Sequence, residues 1–151
     1  VPTETNTPIT PPHDWMPPGG GVRWTRVGDL GWHTLTLTTY LGNRVLAHLG
    51  EASGAVIQED IGRQMTWLTE PHAPAVQHLR DDSNVTISGD DSSYVFVPGM
   101  TRTDLVWWRV MPTSERLLTD ASRLAGAIDT VRNSNSHNRP AETAGTAGGA
   151  A

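Results

Sequence analysis

Apolar residues alternate with polar ones from Val22 to Val27, the period of a strand with one face buried. After a turn at Gly28–Gly31 the same period resumes over Trp32, His33, Thr34, Leu35, Thr36 and Leu37. It then changes. Leu41, Val45, Leu46 and Leu49 fall at helical spacing, with Thr38 or Thr39 placed to cap the start and Gly50 placed to end it. Gly54–Gln58 and Arg63–Leu68 read as two short strands around a Glu59–Gly62 turn. Pro71 to Ser83 reads as loop. Val85–Ile87, Ser93–Val97 and Leu105–Val110 follow as strands, separated by Gly89-Asp90-Asp91 and by Pro98-Gly99. Ala121, Leu124, Ala125, Ile128 and Val131 then mark a helix reaching to about Arg132, with Thr119 or Asp120 as its N-cap.

The pattern predicts an α+β domain: a mainly antiparallel sheet of five to seven strands with two packed helices. It covers residues 22–132. Residues 1–21, rich in proline and carrying Gly19-Gly20-Gly21, are expected to form a disordered, extended arm, on which Trp15 and Met16 are the large apolar residues able to dock. Residues 133–151, built from Asn, Ser, Ala and Gly with little to bury, are expected to form a disordered tail.

Composition narrows the chemistry. The 151 residues include no cysteine, which excludes a disulfide framework and thiolate metal sites. No apolar run is long enough for a membrane-spanning helix and no secretory signal is visible, so a cytoplasmic location is expected. All eleven basic residues are arginine, and the net charge is −5. Phosphate neutralisation needs clustered basic side chains, and here they are scattered, which disfavours general nucleic-acid binding.

The acidic pairs Glu59-Asp60 and Asp90-Asp91 stand at strand ends and turns. Carboxylates so placed can gather a hard divalent cation, and Glu59, Asp60 and Asp91 are the candidate ligands for Mg²⁺ or Mn²⁺. Turns also favour Asp and Gly for their backbone geometry alone. The six histidines show no helical H-x-x-x-H pairing. No nucleophile elbow and no phosphate-binding loop with lysine is present.

Trp24, Trp32, Trp67, Trp107 and Trp108 all fall on expected strands, joined by Tyr94 and Phe96. Trp107 and Trp108 are adjacent, so they must point to opposite faces. Trp24, Arg63, Trp108 and Arg109 are the candidates for binding a ligand or stacking the bases of a single strand. The competing role for such aromatics is core packing.

Gly54-Ala55-Val56-Ile57, then Gly62-Arg63-Gln64-Met65-Thr66-Trp67-Leu68, then Tyr94-Val95-Phe96-Val97-Pro98, then Leu105-Val106-Trp107-Trp108-Arg109 and Leu118-Thr119-Asp120 with Leu124 form an ordered series. It resembles small actinobacterial proteins related to the N-terminal domain of bifunctional DNA primase/polymerases, over roughly Val22–Ile128. The arginine-only, Ala- and Gly-rich composition fits an actinobacterium or one of its phages. The resemblance implies a strand with paired aspartates and a later strand with a nucleotide-binding histidine. Glu59-Asp60 stands at the first place, and Arg63–Trp67 has no histidine at the second. A catalytically degenerate member is therefore expected: a binding or regulatory module for a partner protein or a nucleotide-like ligand. The alternatives are a metal-dependent nucleotidyltransferase and a single-stranded nucleic-acid binder.

Overall fold

The computed structural model describes residues 11–80, 82–88, 93–102 and 105–137. Its strands are β1 (Val22–Arg26), β2 (His33–Thr38), β3 (Val56–Glu59), β4 (Gln64–Thr69), β5 (Val85–Ser88), β6 (Tyr94–Pro98) and β7 (Val106–Val110); its helices are α1 (Thr39–Leu49) and α2 (Ala121–His137). The fold is α+β and every strand pair is antiparallel. The strands form two sheets where one was expected. β5-β2-β4-β3-β7 make a five-stranded sheet, while β1 and β6 pair only with each other as a ribbon.

One face of the large sheet carries the main core. Leu35 and Leu37 of β2, Val56 of β3, and Met65 and Trp67 of β4 point to this side, where α1 and α2 cover them. The helices bury the faces that their spacing predicts: Leu41, Val45 and Leu49 from α1, and Ala121, Leu124, Ala125, Ile128 and Val131 from α2. The Thr38 hydroxyl accepts the Leu41 N–H at the start of α1. Asp120 accepts the Arg123 N–H at the start of α2, and the Thr119 hydroxyl instead accepts the Gly54 N–H. α2 continues through His137, five residues past its expected end and into the segment read as tail. The segment read as loop after Pro71 holds a 3-10 helix, Pro74–Leu79, that buries Val76 and Leu79 against the same core.

The opposite face holds a second, smaller core. Trp32, Ala55, Ile57, Leu68 and Trp108 are buried there with Val97 of the ribbon and Met16. Trp15 and Met16 therefore dock on the body. Met16 is only 2% exposed, and the Trp15 ring meets Trp32 edge-on at 5.3 Å and Trp108 at 6.3 Å. His13 stacks on Trp15 and bonds the Thr113 carbonyl oxygen. The Gly99 and Thr101 N–H groups donate to Gly21 and Gly19, which ties the segment to the end of β6. A Cβ at Gly99 would run into the Gly19 carbonyl, so this close backbone approach requires glycine. Of the expected mobile arm, residues 1–10 lie outside the described residues, and the described part is packed.

Candidate ligand-binding cleft

Strand alternation sends Leu35, Leu37, Met65 and Trp67 to the helix side, and so sends Thr34, Thr36, Gln64 and Thr66 to the other. Toward Trp32, Leu68 and Trp108 that second face is apolar and covered. Elsewhere it is polar. There it lines a cleft of about 250 Å³ with Thr34, Thr36, Ile57, Glu59, Gln64, Thr66, Ser88 and Val106, completed by Trp24, Tyr94, Val95 and Phe96 of the ribbon. All five strands of the large sheet contribute to this floor.

Register places the hydroxyls side by side. Thr36 lies opposite Thr66, and their Oγ1 atoms share a hydrogen bond of 2.9 Å. Thr34 lies opposite Ser88 and donates to its carbonyl oxygen at 3.3 Å. Trp24 lies opposite Phe96, with Tyr94 two residues away across the ribbon. Its ring stacks on Tyr94 at 5.2 Å and 9°, and meets Phe96 at 4.4 Å and 46°. Arg26, opposite Tyr94, holds its guanidinium 5.8 Å from that ring. Trp24 stays 57% exposed, Tyr94 41% and Phe96 44%. Three large rings that pack on one another and still stand partly in solvent at the mouth of a polar cleft leave ring surface open for stacking.

Glu59 is half-buried in this cleft. No hydrogen bond or ion pair joins its carboxylate to any described residue. A Cβ at Gly62 would come 2.8 Å from Glu59 Oε2, so the side chain of Glu59 uses the space that glycine leaves in the β3–β4 turn.

Asp60 points elsewhere. On the α1 side of the sheet, its carboxylate accepts the Trp107 indole N–H at 3.0 Å and the Gln58 amide at 3.0 Å, and pairs with Arg102 at 3.3 Å. Arg102 also covers the Trp107 ring at 3.7 Å. Arg109 joins the same edge, bonding Asn43 at 2.7 Å and Gln58 at 2.9 Å. Glu59 faces the cleft while Asp60 is engaged by Trp107, Gln58 and Arg102, so the two carboxylates point apart. Asp91 lies outside the described residues. Among the described residues, no three His, Asp or Glu side chains gather as a metal site.

The candidate ligand-binding residues also separate. Trp24 lines the cleft. Trp108 is buried in the second core, its indole donating to the Pro98 carbonyl at 2.8 Å. Trp107 faces the other way, as adjacency requires. Arg63 closes the β3–β4 turn at φ 55° with its side chain exposed, and Arg109 is held in the Asp60 network. Trp24 and Glu59 are the two candidates that one cleft brings together. The threonine floor escaped the sequence reading because outward-facing threonines on a strand look like a solvated face.

Asp60→Ala is expected to cost about 1–3 kcal/mol, because it strands the Trp107 and Gln58 donors in a partly buried place. Arg102→Ala removes an exposed ion pair and an exposed cation–π contact with Trp107 but strands no buried donor, so it is expected to cost less than Asp60→Ala, at about 1 kcal/mol. Urea unfolding of both variants checks the order, and equal losses would contradict it.

Comparison with family models, with curated proteins and with solved structures finds no match to this chain. No helix among the described residues is long and apolar enough to cross a membrane.

Proposed function

We propose that the chain is a non-catalytic binding module, as expected for a degenerate primase/polymerase-like domain, whose cleft takes a nucleotide-like ligand. The observation that carries this reading is the exposed, stacked Trp24–Tyr94–Phe96 surface beside a floor of hydroxyls. The slab offers a π-face to any flat ring, and the hydroxyls both donate and accept. The divergence of Glu59 from Asp60 argues against the nucleotidyltransferase alternative, which needs carboxylates converging on shared cations. A long single strand suits the cleft poorly, because its phosphates would run past Glu59 on a molecule of net charge −5.

Trp24→Ala tests the reading. Base–aromatic stacking is worth about 1–3 kcal/mol, so nucleoside affinity is expected to fall about tenfold or more. Trp24 is mostly exposed, and losing its cross-strand contacts is expected to cost at most about 1 kcal/mol of stability. Nucleoside binding by the wild type that survives unchanged in the variant would sink the proposal. Steep salt dependence with oligonucleotides, against a flat one with nucleosides, would move the reading to the single-strand alternative.

A further inference from the structure

We infer that the cleft selects a base carrying two adjacent N–H donors on one edge, which among the common bases is guanine, and that Glu59 is the discriminating residue. The inference rests on the stacking reading above. Among the described residues lining the cleft, Glu59 is the one carboxylate. Hydroxyls and amides adapt to either role, because each both donates and accepts, whereas an ionised carboxylate only accepts. The floor also turns part of its donor capacity inward. Thr34 gives its hydrogen to the Ser88 carbonyl, and Thr36 and Thr66 spend one between them. Glu59 spends nothing on its surroundings, since its carboxylate has no partner among the described residues. A ligand that fills the cleft removes water from this half-buried group, and leaving a charge without a partner is costly.

The ligand edge facing Glu59 must therefore donate. Guanine carries N1–H beside its exocyclic N2 amine, a planar fork that matches the two oxygens of a carboxylate. Adenine sets a ring-nitrogen lone pair beside its amine, and cytosine does the same. Uracil flanks its lone N–H with two carbonyl oxygens. Each of these three turns at least one lone pair toward the carboxylate. A purine also gains more from stacking than a smaller ring or a guanidinium, because it covers more of the ring face that Trp24, stacked on Tyr94, leaves exposed. An arginine guanidinium offers the same fork on a smaller plane, and the test separates it from guanine.

The experiment is calorimetric titration of the full chain with guanosine, inosine, adenosine and Nα-acetyl-arginine amide, repeated on Glu59→Gln. A bidentate pair discriminates by about 1–3 kcal/mol, so guanosine is expected to bind about tenfold tighter than adenosine. Inosine, which lacks the N2 amine, is expected between them. Glu59→Gln is expected to erase most of the guanosine preference while leaving adenosine affinity unchanged or improved. Because the substitution is isosteric and the side chain has no partner among the described residues, the variant is expected to fold as the wild type does, checked by its thermal midpoint. Equal binding of guanosine and adenosine by the wild type overturns the role of Glu59 and leaves the stacking reading standing. A guanosine preference that survives in Glu59→Gln overturns that role as well. Tighter binding of the arginine amide overturns the assignment to guanine. No binding by any nucleoside overturns this inference and the stacking reading together.

Discussion

Trp67→Ala is expected to destabilise the domain by about 3–5 kcal/mol, a large share of the roughly 5–15 kcal/mol that a domain of this kind holds. Trp67 is fully buried on the central strand β4, between Leu35 of β2 and Val56 of β3. Removing its ring opens a void beneath both helices, and a close-packed interior recovers only part of that loss. The indole also donates to Ser53 Oγ at 3.1 Å, and Ser53 in turn donates to the Gly54 carbonyl. Trp67→Phe keeps most of the volume and loses the N–H, so its expected cost is lower. Ser53 keeps its bond to Gly54 in that variant. Urea unfolding followed by circular dichroism is expected to show the midpoint falling in the order wild type, Trp67→Phe, Trp67→Ala. Near-wild-type stability of Trp67→Ala would contradict the assignment of this residue to the main core.

Met16→Ala is the second large effect, at about 2–5 kcal/mol. The figure is notable for a residue in a proline-rich segment ahead of the first strand. Met16 shares the second core with Trp32, Leu68 and Trp108, and Trp15 covers part of the same surface. For a chain of this length, each kcal/mol lowers the thermal midpoint by about 2–4 °C. A drop of several degrees is therefore expected. Deleting residues 1–18 is expected to cost at least as much and to expose the apolar surface around Trp32 and Trp108. A Met16→Ala midpoint equal to that of the wild type would mean that the segment contributes nothing to the fold.

These two sites show what the sequence discloses and what it hides. Trp67 stands two positions after Met65 on a strand, so period alone puts the two on one apolar face. Met16 has no period around it. Its burial depends on a tertiary surface assembled from Trp32 ahead of β2 and from β3, β4, β6 and β7, which local pattern does not describe. The division into two sheets was hidden for a related reason. β1 and β6 each carry an ordinary strand signal, but Trp24 pairs with Phe96, 72 positions later. Nothing local says that these strands leave the main sheet and form a third layer.

The alternation rule that separates Trp107 from Trp108 also places Glu59, at the end of β3. It directs that carboxylate to the cleft, while Asp60, the first residue of the turn, is held at the Trp107–Arg102–Gln58 edge by its own hydrogen bonds. Both residues fall in the turn that the sequence pattern predicts, so their divergence was not legible there. Thr34, Thr36 and Thr66 follow the same rule. Their direction was legible, while the ribbon that turns their face from open solvent into a cleft was not.

A methyl-resolved NMR titration of the full chain with guanosine tests whether this cleft is the ligand site. Shifts are expected in the Thr34, Thr36 and Thr66 methyls and the Trp24 indole N–H, with Leu124, Ile128 and Val131 of α2 unmoved. No shift at the threonine floor, or shifts confined to the helix side of the sheet, would contradict it.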